Sequence, residues 1–288
     1  MISARAQLRE AISERAAPLG PGVYDGLSAA LTAAAGFRIA YMSGAAVSAV
    51  TGVPDIGLAT QTEFAQRVQL IAGLLDIPLV ADADTGFGDV TNVYRTVRLY
   101  ERAGAAAIQL EDQEFPKRCG HLDEKRVIDA PEFAAKIAAA VEARTDPDTV
   151  IIARTDSRAG LGFDEAVRRV NLYVEAGADM AFLEAPQSLE EIRLIPSLIP
   201  APVLFNLVPG GKTPAVELAE LRELGYALVL LPGLNLGSAV SAMRAALLRA
   251  SRGDVSSEGP GPHAVFDSVG LPFWEDLRRR YDREGSNA

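Results

Sequence analysis

The sequence predicts an α/β fold, a (β/α)8 TIM barrel followed by a C-terminal helical extension. Short apolar runs alternate with helix-period segments along most of the chain's 288 residues, which is the pattern of strands and helices in turn. Such alternation calls for parallel strands joined by crossover helices. Counting the runs gives eight units, and eight units within roughly 250 residues is the usual size of a closed barrel.

The strands are read in order as residues 22–25 (GVYD), 39–43 (IAYMS), 78–82 (PLVAD), 107–111 (AIQLE), 150–154 (VIIAR), 181–184 (AFLE), 203–206 (VLFN) and 227–231 (ALVLL). Between them, Phe64, Val68, Ile71 and Leu75 share one helical face, as do Val90, Val93, Tyr94 and Val97, and Val167, Val170 and Val174. A weak repeat supports the period. AGFRIAYMS (35–43), AGAAAIQLE (103–111), AGADMAFLE (176–184) and LGYALVLLP (224–232) each run from a helix end into a strand. Gly36, Gly104, Gly177 and Gly225 sit where a helix C-terminus needs positive φ. Residues 237–250 read as the eighth helix, 251–262 as an exposed Gly/Pro/Ser-rich connector and 269–282, with the chain's one tryptophan, as a further helix. The expected division is a catalytic barrel over 1–250 and a linker with a helical segment over 251–288.

Composition bounds the function. Twenty-eight basic against 38 acidic residues give a net charge of −10, which argues against nucleic acid or an anionic membrane as partner but not against a small anion met by a few local cations. No leader-like opening or membrane-length apolar run stands out. A single cysteine makes no internal disulfide, so the cytoplasm is the expected compartment.

Polar residues gather where the apolar strands stop, on the face where barrel enzymes build their sites. Asp82 and Asp84 in DADTGFGD (82–89) and Glu111 and Asp112 in LEDQ (110–113) end adjacent strands. Their hard oxygen donors suit Mg²⁺ or Mn²⁺. The segment FPKRCGH (115–121) follows. There Lys117, Arg118 and His121 would favour the Cys119 thiolate, and Gly120 would let the backbone approach a ligand. One cysteine and two histidines are too few for a zinc site. Arg154 offers a fork for a carboxylate or an ion pair with Asp156. YMSGAA (41–46) offers a hydroxyl and backbone N–H groups to an oxyanion. NLVPGGKT (206–213) is not a P-loop, because Asn206 stands where that pattern needs glycine. No G-x-G-x-x-G follows a strand, so no dinucleotide is indicated. His263 falls in the connector.

These segments, with GVPDIGLAT (52–60), ARTDS (153–157), FLEA (182–185) and LFNLVPGGKTP (204–214), come in the order found in the isocitrate lyase/phosphoenolpyruvate mutase superfamily, which the chain resembles over nearly its whole length. The K-[KR]-C-G-H signature resembles the lyase branch, that of 2-methylisocitrate and 2,3-dimethylmalate lyases. The resemblance implies a Mg²⁺-dependent barrel and a homotetramer, a dimer of dimers exchanging eighth helices. It implies Asp82 as direct metal ligand, with Asp55, Asp84 and Glu111 holding the metal's waters. Tyr41, Ser43, Gly44, Ala45, Asp82, Gly120, Arg154 and Asn206 would bind the substrate. Cys119 would be the acid/base, on a loop able to close over the site. Lys117, Arg118 and His121 would tune it, and Glu184 would complete the catalytic set. The activity implied is cleavage of a C–C bond in a 2-hydroxy di- or tricarboxylic acid to pyruvate or glyoxylate plus a carboxylic acid.

Two positions narrow the substrate. Phe182 stands where isocitrate lyases carry tryptophan, leaving room for a substituted carbon. Val208 stands where a hydroxyl would bind a further carboxylate, which an isopropyl group would leave underpaired. A smaller or branched malate-type acid is therefore expected. The alternatives are oxaloacetate decarboxylation or hydrolysis, carboxyphosphonoenolpyruvate mutase-like P–C chemistry and, in another class, a non-catalytic binding barrel. The last would be favoured by loss of the acidic cluster or the cysteine, and both are present.

Overall fold

A computed structural model describes residues 2–120, 125–256 and 259–282; His121 lies outside the described residues. The chain opens with α1 (Ala4–Ser13), β1 (Leu19–Val23), α2 (Gly26–Ala34), β2 (Ala40–Met42), α3 (Gly44–Val50), α4 (Gln61–Ala72), β3 (Leu79–Asp82), α5 (Val90–Ala103) and β4 (Ala107–Glu111). It continues with α6 (Ala130–Ala143), β5 (Val150–Thr155), α7 (Arg158–Leu161), α8 (Phe163–Glu175), β6 (Met180–Leu183), α9 (Leu189–Leu198), β7 (Val203–Asn206), α10 (Leu218–Glu223) and β8 (Leu228–Leu231). The last three elements are α11 (Leu234–Ala250), α12 (Pro262–Asp267) and α13 (Leu271–Asp282).

All neighbouring strands pair in parallel and in chain order, and β8 closes on β1. Alternate strand residues point inward. Ile39 and Tyr41, Val80, Ala107, Val150 and Ile152, Met180 and Phe182, Leu204, and Leu228 and Leu230 fill the barrel. Leu8 and Ile12 of α1 join this cluster, and Arg5 and Arg9 tie that helix to Asp146 and Asp179, both at 2.9 Å. The other parity meets the helices: Phe64, Val68 and Ile71 of α4, and Val93, Val97 and Tyr100 of α5, are fully buried there.

The eight strands and the positive φ of Gly36, Gly104, Gly177 and Gly225 agree with expectation. Three readings are corrected. The first strand runs Leu19–Val23, three residues earlier than its sequence suggests, because its residues are Leu-Gly-Pro-Gly rather than an apolar run. Asp25 instead caps α2, its side chain accepting from Ser28 N at 2.8 Å. Gly22 is required by the closure itself, since a Cβ there would fall on the Pro232 carbonyl. On α5, Val90 and Tyr94 are 38% and 42% exposed, and the inward face is Val93, Val97 and Tyr100. His263 lies in α12 rather than in a connector, and it is exposed. Among the described residues no helix is long and apolar enough to cross a membrane.

Gly22→Ala should destabilise the fold by about 1–3 kcal/mol, as overpacking against backbone does. A urea unfolding midpoint lowered relative to the parent, at unchanged slope, is the expected reading.

Candidate active site

The inward strand parity continues past the last apolar residue of each strand. On β4 it runs Ala107, Gln109, Glu111; on β5 Val150, Ile152, Arg154; on β6 Met180, Phe182, Glu184; on β7 Leu204, Asn206. A cavity of about 160 Å³ at the carboxyl ends is lined by Tyr41, Ser43, Ala45, Asp55, Asp82, Glu111, Lys117, Cys119, Gly120, Arg154, Glu184, Asn206 and Val208. Pro232, Gly233 and Leu236 close its far side. A larger cavity of about 500 Å³ lies outside the Cys119 loop. It holds none of the strand-end residues, and the smaller one is the chemical site.

Arg154 is the best-held cation. Its Nε donates to Asp156 Oδ2 at 2.7 Å and its Nη2 to Asp156 Oδ1 at 3.0 Å. Glu111 and Glu184 lie 3.3 Å away, and the guanidinium sits 5.0 Å from the centre of the Phe182 ring. Burial opposes its charge, but Asp156, Glu184 and Glu111 outweigh that and hold it firmly protonated. For Asp156 burial is likewise outweighed, by Arg154 and Lys125, and its carboxyl stays well below the usual range. Asn206 Nδ2 donates to Glu184 Oε2 at 3.2 Å.

The acidic side centres on Asp82. Its Oδ2 accepts from Tyr41 Oη at 3.1 Å and Gly44 N at 3.2 Å, and its Oδ1 from Asp84 N at 3.1 Å. Ser43 caps α3, accepting from Ala46 N. Asp84 adopts φ +48°, which turns its carboxylate back toward the strand ends. The Lys117 ammonium stands 2.7 Å from both Asp55 Oδ1 and Asp84 Oδ1. Four surrounding carboxylates, Asp84, Glu111, Asp55 and Asp82, override its burial and keep it charged. Burial pushes Asp84 up to about 7 despite Lys117, and lifts Glu111 well above the usual range against Arg154 and Lys117.

Could these residues hold a cation? All four carboxylates offer hard oxygens, one ammonium among them leaves negative charge in excess, and Glu111 Oε1 is buried with no hydrogen-bond partner. Among the described residues no group of three or more acidic, histidine or cysteine side chains is arranged to hold an ion, and Mg²⁺, which keeps several waters, needs only one or two direct carboxylate ligands. The donor set fits a divalent cation.

Cys119 is half-buried, and its backbone N–H donates to Asp55 O at 3.1 Å. Gly120 lies so close that a Cβ there would fall on Arg154 Nη2 and crowd Glu184. Arg118 is not brought to this cavity. Its backbone pairs with the Gln113 side chain at 2.9 and 2.7 Å, and it lines the outer cavity.

Asp112 was expected in the acidic cluster and is not there. Successive strand side chains point to opposite faces, so with Glu111 inward Asp112 turns toward α8. It accepts from Thr155 Oγ1 at 2.6 Å, Tyr173 Oη at 2.8 Å, Asp156 N at 2.9 Å and Arg169 Nη1 at 3.2 Å. Asp112 thus holds the backbone of Asp156, which holds Arg154. The sequence signal for Asp156 was its proximity to Arg154; for Asp112's true role it was strand parity. Nothing in the sequence marks Lys125, whose Nζ donates to Asp156 Oδ1 at 2.8 Å. Asp112→Ala should cost about 1–3 kcal/mol, because it takes the acceptor from the buried Tyr173 hydroxyl and Asp156 N–H, while Arg169 keeps Glu165 at 3.0 Å; chemical denaturation measures this.

The family model described as phosphoenolpyruvate phosphomutase matches residues 8–250. The 2,3-dimethylmalate lyase of Eubacterium barkeri is 44% identical over 243 residues, 84% of each chain. The 2-methylisocitrate lyase of Aeropyrum pernix is 48% identical over 225 residues, 78% of this chain and 72% of its own. The crystal structure of 2,3-dimethylmalate lyase superposes with a TM-score of 0.92 at 38% identity, covering 98% of this chain and 96% of that one. Oxaloacetate acetylhydrolase in complex with 3,3-difluorooxalacetate superposes with a TM-score of 0.93 at 34% identity, covering 97% of both chains. Phosphonopyruvate hydrolase in complex with oxalate and Mg²⁺ gives 0.88 at 33% identity, covering 97% and 99%. With its strand-end constellation and its K-R-C-G-H segment, the chain belongs to the phosphoenolpyruvate mutase/isocitrate lyase superfamily, on the carbon–carbon lyase branch.

Proposed function

We propose that this protein is a Mg²⁺-dependent lyase that cleaves a branched malate-type 2-hydroxy acid to pyruvate or glyoxylate and a carboxylic acid. The observation that carries the reading is the half-buried Cys119 thiol on the same cavity as Arg154 and the Asp82 cluster. Asp82 would hold the ion directly, and Asp55, Asp84 and Glu111 its waters; Mn²⁺ has the same donor preference. Bound there, the ion supplies Lewis-acid stabilisation to the oxygen that becomes the carbonyl.

The chain's own groups do the rest. Arg154 receives the carboxylate of the nascent 2-oxo acid, opposite the backbone of Ser43, Gly44 and Ala45. Tyr41, Gly120 and Asn206 bound the substrate, and Glu184 fixes Asn206. As the C–C bond breaks, a carboxylate of the Asp82 cluster on the cavity takes the hydroxyl proton, the hydroxyl-bearing carbon becomes a carbonyl, and the electron pair of the broken bond stays on the departing carbon beside its carboxylate. Cys119 Sγ delivers the proton there. Lys117, which lines the same cavity, would add positive charge near that thiol. Val208, Pro232 and Leu236 make the remaining wall apolar, which accommodates methyl branches and leaves a further carboxylate unpaired.

A second reading, hydrolytic cleavage of oxaloacetate, is supported by the likeness to oxaloacetate acetylhydrolase. A homotetramer is proposed as well. No residue of α11, α12 or α13 is buried in the single chain, and Met243, Leu247, Phe273 and Trp274 are 55–70% exposed. Such an apolar surface fits helix exchange with a second copy. A cytoplasmic setting suits a chain whose one cysteine makes no internal disulfide.

A panel of 2-hydroxy dicarboxylic acids and oxaloacetate, assayed for 2-oxo acid release with Mg²⁺ and again with EDTA, tests the reading. Branched malates should turn over, EDTA should abolish the signal, and Cys119→Ser should lower kcat by about 100-fold or more while substrate still binds. Full activity in that variant would remove the proton-donor role, and oxalate plus acetate from oxaloacetate alone would select the hydrolase. The pH dependence is also set. With Asp84 at about 7, protons compete with the cation below that pH, so Mg²⁺ affinity measured by calorimetry should weaken as pH falls from 8 to 6, by up to about tenfold per unit.

A further inference from the structure

We propose that Lys125 is a positioning residue that seats the Cys119–Gly120 backbone on the Arg154 anchor; the catalytic part of this inference rests on the lyase reading above. Its ammonium makes two short contacts with separate parts of the molecule. It donates to the Gly120 carbonyl at 2.6 Å and to Asp156 Oδ1 at 2.8 Å. Both charged side chains are out of solvent, at 3% and 0% exposure. Asp156 is the carboxylate that grips Arg154 through two hydrogen bonds, and its own backbone is held by Asp112. Lys125 therefore ties the peptide unit after the thiol to the rigid end of β5.

The tie is specific in direction. Gly120 is where a Cβ would collide with Arg154 Nη2, so the loop and the guanidinium are already in van der Waals contact. The carbonyl of Gly120 is turned toward Lys125. The same ammonium shares the charge of Asp156, which leaves Arg154 less neutralised and more able to attract a substrate carboxylate. Loss of Lys125 thus removes one restraint on the thiol and weakens one charge in the substrate's anchor.

The single cysteine makes the test direct. The rate of Cys119 alkylation by iodoacetamide is followed by intact mass across pH in the full-length parent, Lys125→Met and Lys125→Arg. The plateau at high pH reports access to Sγ rather than its ionisation. Lys125→Met should raise that plateau about fivefold or more by local opening, and Lys125→Arg, which can bridge both acceptors, should restore it. In turnover, Lys125→Met should lower kcat about 10- to 100-fold through misplacement of the thiol and raise KM, with Lys125→Arg recovering much of both. If Lys125→Met does not fold, Lys125→Gln replaces it in the same assays. A plateau unchanged in the neutral variant overturns the proposal. A parent that releases no 2-oxo acid sinks the lyase reading alone, because the alkylation arm still decides the placement of Gly120.

Discussion

Arg154 carries its charge at the end of a barrel strand with almost no water to solvate it, and the carboxyl face is organised around that cost. A buried guanidinium is tolerated only when its partners are close, geometrically matched and themselves held. Asp156 supplies the matched fork, Glu184 and Glu111 add charge from the neighbouring strands, and Phe182 offers its ring face. Behind Asp156 stands Asp112, fixed by Thr155, Tyr173 and Arg169. The chain of support runs from the helix layer to the strand end and then into the cavity. An anion entering the cavity meets a cation whose position is set before it arrives, which is the condition for electrostatic stabilisation without reorganisation.

The opposite wall has the reverse problem, too many carboxylates in one place. Asp55, Asp82, Asp84 and Glu111 are relieved by Lys117, by the N–H groups of Gly44 and Asp84 and by the Tyr41 hydroxyl. Burial, and after it the neighbouring carboxylates, still raises the proton affinities of Asp84 and Glu111. Hard oxygen donors gathered in this way suit a small hard dication, and the lysine set among them belongs to the same loop as the thiol. The carboxylate wall and the thiol loop are thus joined through Lys117, just as that loop and the Arg154 side are joined through Lys125.

Much of the fold was legible because a closed parallel barrel imposes two simple periods. Helix-period segments between apolar runs gave the count of units, and the Gly-strand junctions at 36, 104, 177 and 225 marked their spacing. What failed did so for local reasons. β1 is a glycine–proline strand selected by its contact with Pro232 rather than by hydrophobicity. The inward face of α5 keeps the expected Val93 and Val97 but takes Tyr100 in place of Val90 and Tyr94, because its neighbours decide which flank of the stripe is covered.

By itself the sequence determined the kinds of groups the site could contain: an arginine, an asparagine and several carboxylates at strand ends, and a lone cysteine among cations. These are chemical facts that need no coordinates, and strand parity already carries the inward column from Ile152 to Arg154 and from Phe182 to Glu184. Only the tertiary structure decided which charges face each other. It turned Asp112 away from the cavity, gave Asp156 to Arg154, set Lys117 between two aspartates and brought Lys125 against Gly120. Such pairings depend on contacts between residues distant along the chain, whose energies are fixed by burial and distance after the barrel has closed.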